Sequence, residues 1–164
     1  MKKFLFSLVA PVVIFLSFTT MADRVSFSGD WKLNEGKSEL GEFGGRFTPR
    51  SIKVDQKADN ITISRTRPGF NGGEPVTTTM TLTFDGKETE STGFGNSKTK
   101  STAKWSDDGQ TLTINSATSF ERDGQTSEFK GTETWTLTKE GLLSVVNVSS
   151  SSRGETTVKA VYDK

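Results

Sequence analysis

An all-β fold, an antiparallel up-and-down β-barrel of about 8–10 strands, is predicted by three features of the chain. Period-two alternation of apolar and polar residues runs through nearly all of the sequence after residue 22. No stretch there carries the wide apolar stripe that an amphipathic helix requires. Turn dipeptides punctuate the alternation at hairpin spacing: Asp59-Asn60, Asp85-Gly86, Asp108-Gly109, Asp123-Gly124, Glu140-Gly141 and Arg153-Gly154. Sheets without covering helices must close on themselves or stack in pairs. Consecutive hairpins with few long crossovers favour the barrel, and a two-sheet β-sandwich is the alternative.

The first element is not part of that fold. Met1-Lys2-Lys3 is a basic start, Phe4 to Phe18 is an uncharged apolar run, and Thr20 and Ala22 offer small residues for cleavage before Asp23. The run is shorter than the roughly 20 residues of a spanning helix. Residues 1–22 therefore read as a signal peptide, residues 23–164 as one barrel domain, and the expected location is secreted or periplasmic, with no membrane span after cleavage. The lack of a cysteine at the cleavage site argues against a lipid anchor.

The 164 residues include neither Cys nor His, and the net charge is +1. Disulfides, the usual zinc sites and Ser-His or Cys-His nucleophile pairs are thereby excluded. A charge so near zero makes no case for a nucleic-acid partner, and nothing in the chain implies a cofactor. Carboxylate-pair chemistry alone survives among the common catalytic schemes.

Ten candidate strands follow, near 26–35, 46–56, 61–67, 75–84, 87–93, 98–105, 110–120, 125–139, 142–151 and 155–163. The fourth shows the pattern most clearly, with Met80, Leu82 and Phe84 facing one way and Thr79, Thr81 and Thr83 the other. Trp135 and Leu137 against threonines repeat it in the eighth. The fifth, Lys87 to Gly93, is polar on both faces and carries the weakest pattern.

The first strand reads FSGDWKLN and holds Gly29-x-Trp31. With the meander, this resembles the calycin group of lipocalins, fatty-acid-binding proteins and avidins, in which the tryptophan of such a motif sits at the closed end of the barrel. The last strand, TTVKAVYDK, is similar to the closing strand of fatty-acid-binding proteins, which commonly ends in Arg-x-Tyr. Here the sequence is Ala160-Val161-Tyr162, so only Tyr162 matches and the carboxylate-gripping arginine is missing. The connection EGKSELGEFGGR is too short and glycine-rich for that family's two lid helices. The resemblance implies a barrel that carries a small ligand.

If the strands alternate in direction, the connections fall into two sets. The base set (57–60, 85–86, 106–109, 140–141) is tight and mostly acidic. The mouth set (36–45, 68–74, 94–97, 121–124, 152–154) holds the two longest loops, with Phe43, Phe70 and Phe94. Arg46, Arg50, Arg65, Arg67, Arg122 and Arg153 fall at or near the mouth. A turn centred on Ala58-Asp59 pairs Val54 with Ile63, Ile52 with Arg65, and Arg50 with Arg67, so these arginines share the apolar face. Like charges directly opposed are destabilising unless something anionic offsets them. An anionic ligand is one such partner, and internal salt bridges to Glu42 or Glu74 are another. The third reading is that Pro49 and Pro68 break the pairing and turn the charges to solvent. Bulky residues, Trp31, Trp105 and Trp135 among them, gather toward the base, whereas hydroxyl residues such as Thr78, Ser101, Ser116 and Thr118 occupy the upper half. Glu133 shares the parity of Trp135 and should point inward, unless a bulge at Gly131 turns it out, and the sequence identifies no catalytic mate for it.

The expected function is that of an exported, non-catalytic binding protein for a small hydrophobic or amphipathic, anionic molecule. Its candidate ligand-binding residues are Arg50, Arg65, Arg67, Phe70, Thr78, Ser101 and Tyr162. The alternative is a structural or interaction module that binds protein or polysaccharide through its loops.

Overall fold

Each alternating segment becomes a strand in the computed structural model, which describes residues 23–69, 72–92, 97–122, 125–151 and 154–164, apart from the side chains of residues 42, 43, 122 and 125. The strands are β1 Gly29–Leu33, β2 Ser51–Gln56, β3 Asn60–Arg67, β4 Val76–Thr83, β5 Thr89–Thr92, β6 Lys98–Trp105, β7 Leu112–Arg122, β8 Gln125–Leu137, β9 Leu143–Ser151 and β10 Gly154–Asp163. All pairings are antiparallel, in the order β4-β3-β2-β1-β10-β9-β8-β7-β6-β5. Because β1 pairs with β10, the first and last strands meet and the meander wraps into a nearly closed ten-stranded barrel instead of two stacked sheets.

One seam remains, between β4 and β5. At the base it is bridged by Phe84 against Trp105, with ring centroids 5.6 Å apart at 70°. Toward the mouth Val76 and Thr78 have inward parity but are solvent-exposed, because no strand of the described residues lies beside β4 there. The Ile52–Arg65 and Val54–Ile63 register expected from the Ala58-Asp59 turn is the one formed.

Two boundaries differ from the sequence expectation. Residues 46–50 do not extend β2. Gly41–Phe47 instead forms a short helix, α1, after a 3₁₀ turn at Glu35–Lys37. The apolar residues of this stretch lack a 3.6-residue stripe, so periodicity could not reveal it. What holds α1 is tertiary. Glu39 exchanges backbone hydrogen bonds with Lys159 of β10 (2.7 and 3.0 Å), and Gly44 lies so close that an added Cβ would stand 2.8 Å from Val158 Cγ2. The buried Thr48 hydroxyl donates to the Gly44 carbonyl at 2.7 Å, and Arg46 sits in the last turn, where the helix dipole favours a cation.

The second difference is at the other end of the barrel. β1 starts at Gly29, and the residues before it turn under the base. Phe27 is 0% exposed, stacked on Trp105 (5.5 Å, 8°) and edge-on to Trp135 (5.8 Å, 79°). Its carbonyl accepts from Trp31 Nε1 at 2.7 Å, and Gln56 clamps the segment by bonding Phe27 N and Val25 O. With Leu82, Leu112, Leu143, Ile61 and Ile63, all 0% exposed, these aromatics form the core of the lower half.

Two of the base turns are closed by a carboxylate. Asp85 accepts from Lys87 Nζ (2.7 Å), the Thr83 hydroxyl (2.6 Å) and Lys87 N (3.1 Å), bonds that hold its carboxyl well below the usual carboxylate range. Asp108 accepts from the Ser106 hydroxyl (2.5 Å) and Gln110 N (3.0 Å), with the same direction of shift. Carboxylates with depressed folded-state pKa values contribute stability that is present above their unfolded pKa of about 4 and is lost as pH falls through the folded values. The urea midpoint should therefore drop between about pH 5 and about pH 2, and drop less in the Asp85→Asn/Asp108→Asn double variant. Equal acid sensitivity of the two proteins would show that these turns do not contribute to it.

Candidate functional site

Above the aromatic base the side chains shrink, and a cavity of about 920 Å³ opens among the upper parts of β2, β3 and β7–β10 and α1. That size falls within the usual range for small-molecule sites, roughly 300–1,000 Å³. Ile52, Val145, Val158 and Ala160 give it an apolar wall on the β2, β9 and β10 side. Ser116, Thr118, Asn147 and Ser149 face it with hydroxyl and amide groups. Two aromatics stand at the rim: Phe47 on α1, 68% exposed, and Phe129 on β8, 42% exposed and stacked on Phe120 at 5.4 Å.

The candidate residues divide clearly. Arg65, Arg67 and Tyr162 line the cavity. Arg65 is largely buried and its charge is already met: Nη2 lies 2.5 Å from Glu133 Oε2, and Nη1 lies 3.3 Å from Met80 Sδ. Its guanidinium is also 5.7 Å from the centre of the Trp135 ring. Trp135 Nε1 donates to the same Glu133 oxygen at 2.9 Å. Glu133 thus points inward as its parity requires, with continuous pairing through Gly131 and no bulge. For Arg65 the internal salt bridge left open by the sequence is made by Glu133, 68 residues away in the chain.

Arg67 is two residues higher on the same face and has no hydrogen bond or ion pair with any described residue. It remains accessible to solvent, yet the surrounding walls displace enough water to push its guanidinium pKa down, and the Arg65 charge adds to that shift. Tyr162 is 1% exposed, donates to the Pro49 carbonyl at 3.2 Å, and is pushed well above the usual phenol pKa by burial. Its hydroxyl therefore acts as a neutral group that ties the α1 connection to β10.

Three of the sequence candidates stand elsewhere. Arg50 does not line the cavity; it turns outward and pairs with Glu35 of the 3₁₀ turn. Thr78 lies exposed at the open seam. Ser101 is 1% exposed and its Oγ has no partner among the described residues, but it does not line the cavity. Phe70 lies outside the described residues, as do Phe94 and Arg153, and the side chains of Phe43 and Arg122 are not described.

Two lining features went unread in the sequence. The inward residues of β9 run Leu143, Val145, Asn147 and Ser149, so alternation alone places Asn147 in the cavity at the level of Glu133, its direct partner across β8–β9. Phe120 and Phe129 likewise share the inward parity of their strands. Among the described residues no cluster of three or more metal-ligating side chains occurs. No family model, curated protein or solved structure matches the chain.

Proposed function

We propose that this barrel binds a small amphipathic anion and does not transform it. The observation that carries the reading is Arg67, a guanidinium on the cavity wall with no hydrogen bond or ion pair to any described residue, whereas the buried Arg65 is neutralised by its own glutamate. Arg is suited to bidentate capture of a carboxylate, and a partly desolvated cation gains more from an anion than one in bulk water. The apolar wall of Ile52, Val145, Val158 and Ala160 suits the ligand's body. The ten-stranded architecture is compatible with a calycin-like carrier, the group that the Gly29-x-Trp31 strand resembles. Export would follow if residues 1–22 act as a signal peptide.

A non-catalytic role is supported by the state of Glu133. Its carboxylate is held by Arg65 and Trp135, and among the described residues no second carboxylate lines the cavity. The interaction-module alternative draws less support from the outer threonines, whose hydroxyls pair across strands with each other: Thr62 with Thr81, Ser64 with Thr79 and Thr66 with Thr77, at 2.8–2.9 Å.

The test is displacement of a fluorescent naphthalene sulfonate by decanoate and by decanol. Arg67→Gln should weaken decanoate binding about tenfold to a hundredfold and leave decanol unchanged, the range expected for losing a charge-assisted contact. Arg50→Gln, outside the cavity, should change neither. Decanoate affinity equal in parent and Arg67→Gln would overturn the reading.

A further inference from the structure

Below Arg67 the cavity wall carries acceptors. Asn147 Oδ1 is buried and accepts no hydrogen bond from a described residue. Glu133, directly opposite on β8, receives both of its bonds on Oε2, which leaves Oε1 without a donor among the described residues. Both residues line the cavity, and Ser116, one step higher on β7, adds a hydroxyl. The barrel could have lined this level with aliphatic side chains, as it does at Val145 one step lower on β9. A purely alkyl chain pressed onto this surface would strip water from the amide and the carboxylate and give nothing in return.

We propose that the ligand is an amphipathic acid with a hydroxyl group at its inner end: Arg67 holds the carboxylate, and the hydroxyl donates its one proton to Asn147 Oδ1, beside Glu133 Oε1. This rests on the anion-binding reading above and adds the chemistry of the opposite end. A hydroxyl suits the place better than an ammonium group. Glu133 is already neutralised by Arg65 at 2.5 Å, so a second cation would meet the Arg65 charge without a free counter-ion. Arg67 lies two residues above Arg65, about 7 Å along the strand, which favours a short spacer between the two ends.

The experiment compares ω-hydroxy acids of six, eight and ten carbons with the unsubstituted acids of equal length, by displacement of the naphthalene sulfonate probe from the parent protein. At one length or more the hydroxy acid should bind about tenfold tighter, the discrimination expected when a site's polar groups would otherwise be left unpaired. In Asn147→Leu, checked for folding by its melting curve, the two affinities should converge. Equal or weaker binding of the hydroxy acid at every length in the parent overturns this inference while the anion reading stands. A preference that persists in folded Asn147→Leu overturns the role given to Asn147. Binding of neither acid overturns both readings. The comparison in the parent decides the question even if the variant does not fold.

Discussion

Replacing Phe27 by alanine is expected to cost about 3–5 kcal/mol and to lower the melting temperature by about 10 °C or more. The ring is 0% exposed and fills the space beneath two indoles, stacked on Trp105 and edge-on to Trp135. Its removal leaves a cavity where the neighbours are rigid planes that collapse poorly, the situation in which large-to-small changes cost most. The backbone bonds of this segment survive in the variant, because Trp31 Nε1 binds the Phe27 carbonyl and Gln56 binds its amide. The loss therefore reports on the ring alone. Phe27→Leu should retain more than half of the lost stability. Thermal melts followed by near-ultraviolet dichroism would check both variants, and a shift below about 2 °C in Phe27→Ala would mean that the base does not depend on this plug.

Phe27 also marks a limit of sequence reading. Alternation specifies which face a residue takes within a strand, and it placed every strand and the register of β2 on β3. It cannot tell a strand from an extended segment that leaves the sheet, so Phe27 read as part of the first strand. The helix Gly41–Phe47 escaped for a related reason: its stability comes from contact with β10, through Gly44 against Val158 and Glu39 against Lys159, and no local pattern encodes that contact.

The cavity was legible in part. Parity placed Arg65 and Arg67 on the inner face, and both line the cavity. The same parity would have placed Arg50 beside them, but Arg50 lies just before the first residue of β2 and follows the 3₁₀ turn to Glu35. Parity holds only as far as the ladder does. The partner of Arg65 was invisible because the pair joins β3 to β8 across the barrel lumen, a contact that depends on closure and not on any adjacent strand.

That cross-lumen pair yields the second large effect. Glu133→Gln should cost about 3 kcal/mol, because the change preserves shape and leaves the Arg65 guanidinium without its counter-charge. The two side chains are 11% and 18% exposed, so water at the cavity's edge screens the pair only partly, which sets the value at the low end of the range for breaking buried pairs. Removing both charges together, in Arg65→Met/Glu133→Leu, should recover most of the loss, since what costs free energy is the unpaired ion and not the absence of the bond. Urea denaturation of the three proteins measures this directly, and a double variant no more stable than Glu133→Gln would contradict it.

The same change acts in the opposite direction on binding. With Glu133 neutral, Arg65 joins Arg67 as a free cation in the cavity, and decanoate affinity should rise about tenfold where Arg67→Gln lowers it. Decanoate should then restore to Glu133→Gln part of the stability it lost, because a ligand that binds only the folded state stabilises that state by mass action. The parent, whose Arg65 is already paired, should gain less from the same concentration. A carboxylate held inside the barrel at this point thus limits how tightly an anion binds. The stability of the empty protein and the affinity of the loaded one depend on the same guanidinium, and strengthening either through Glu133 weakens the other.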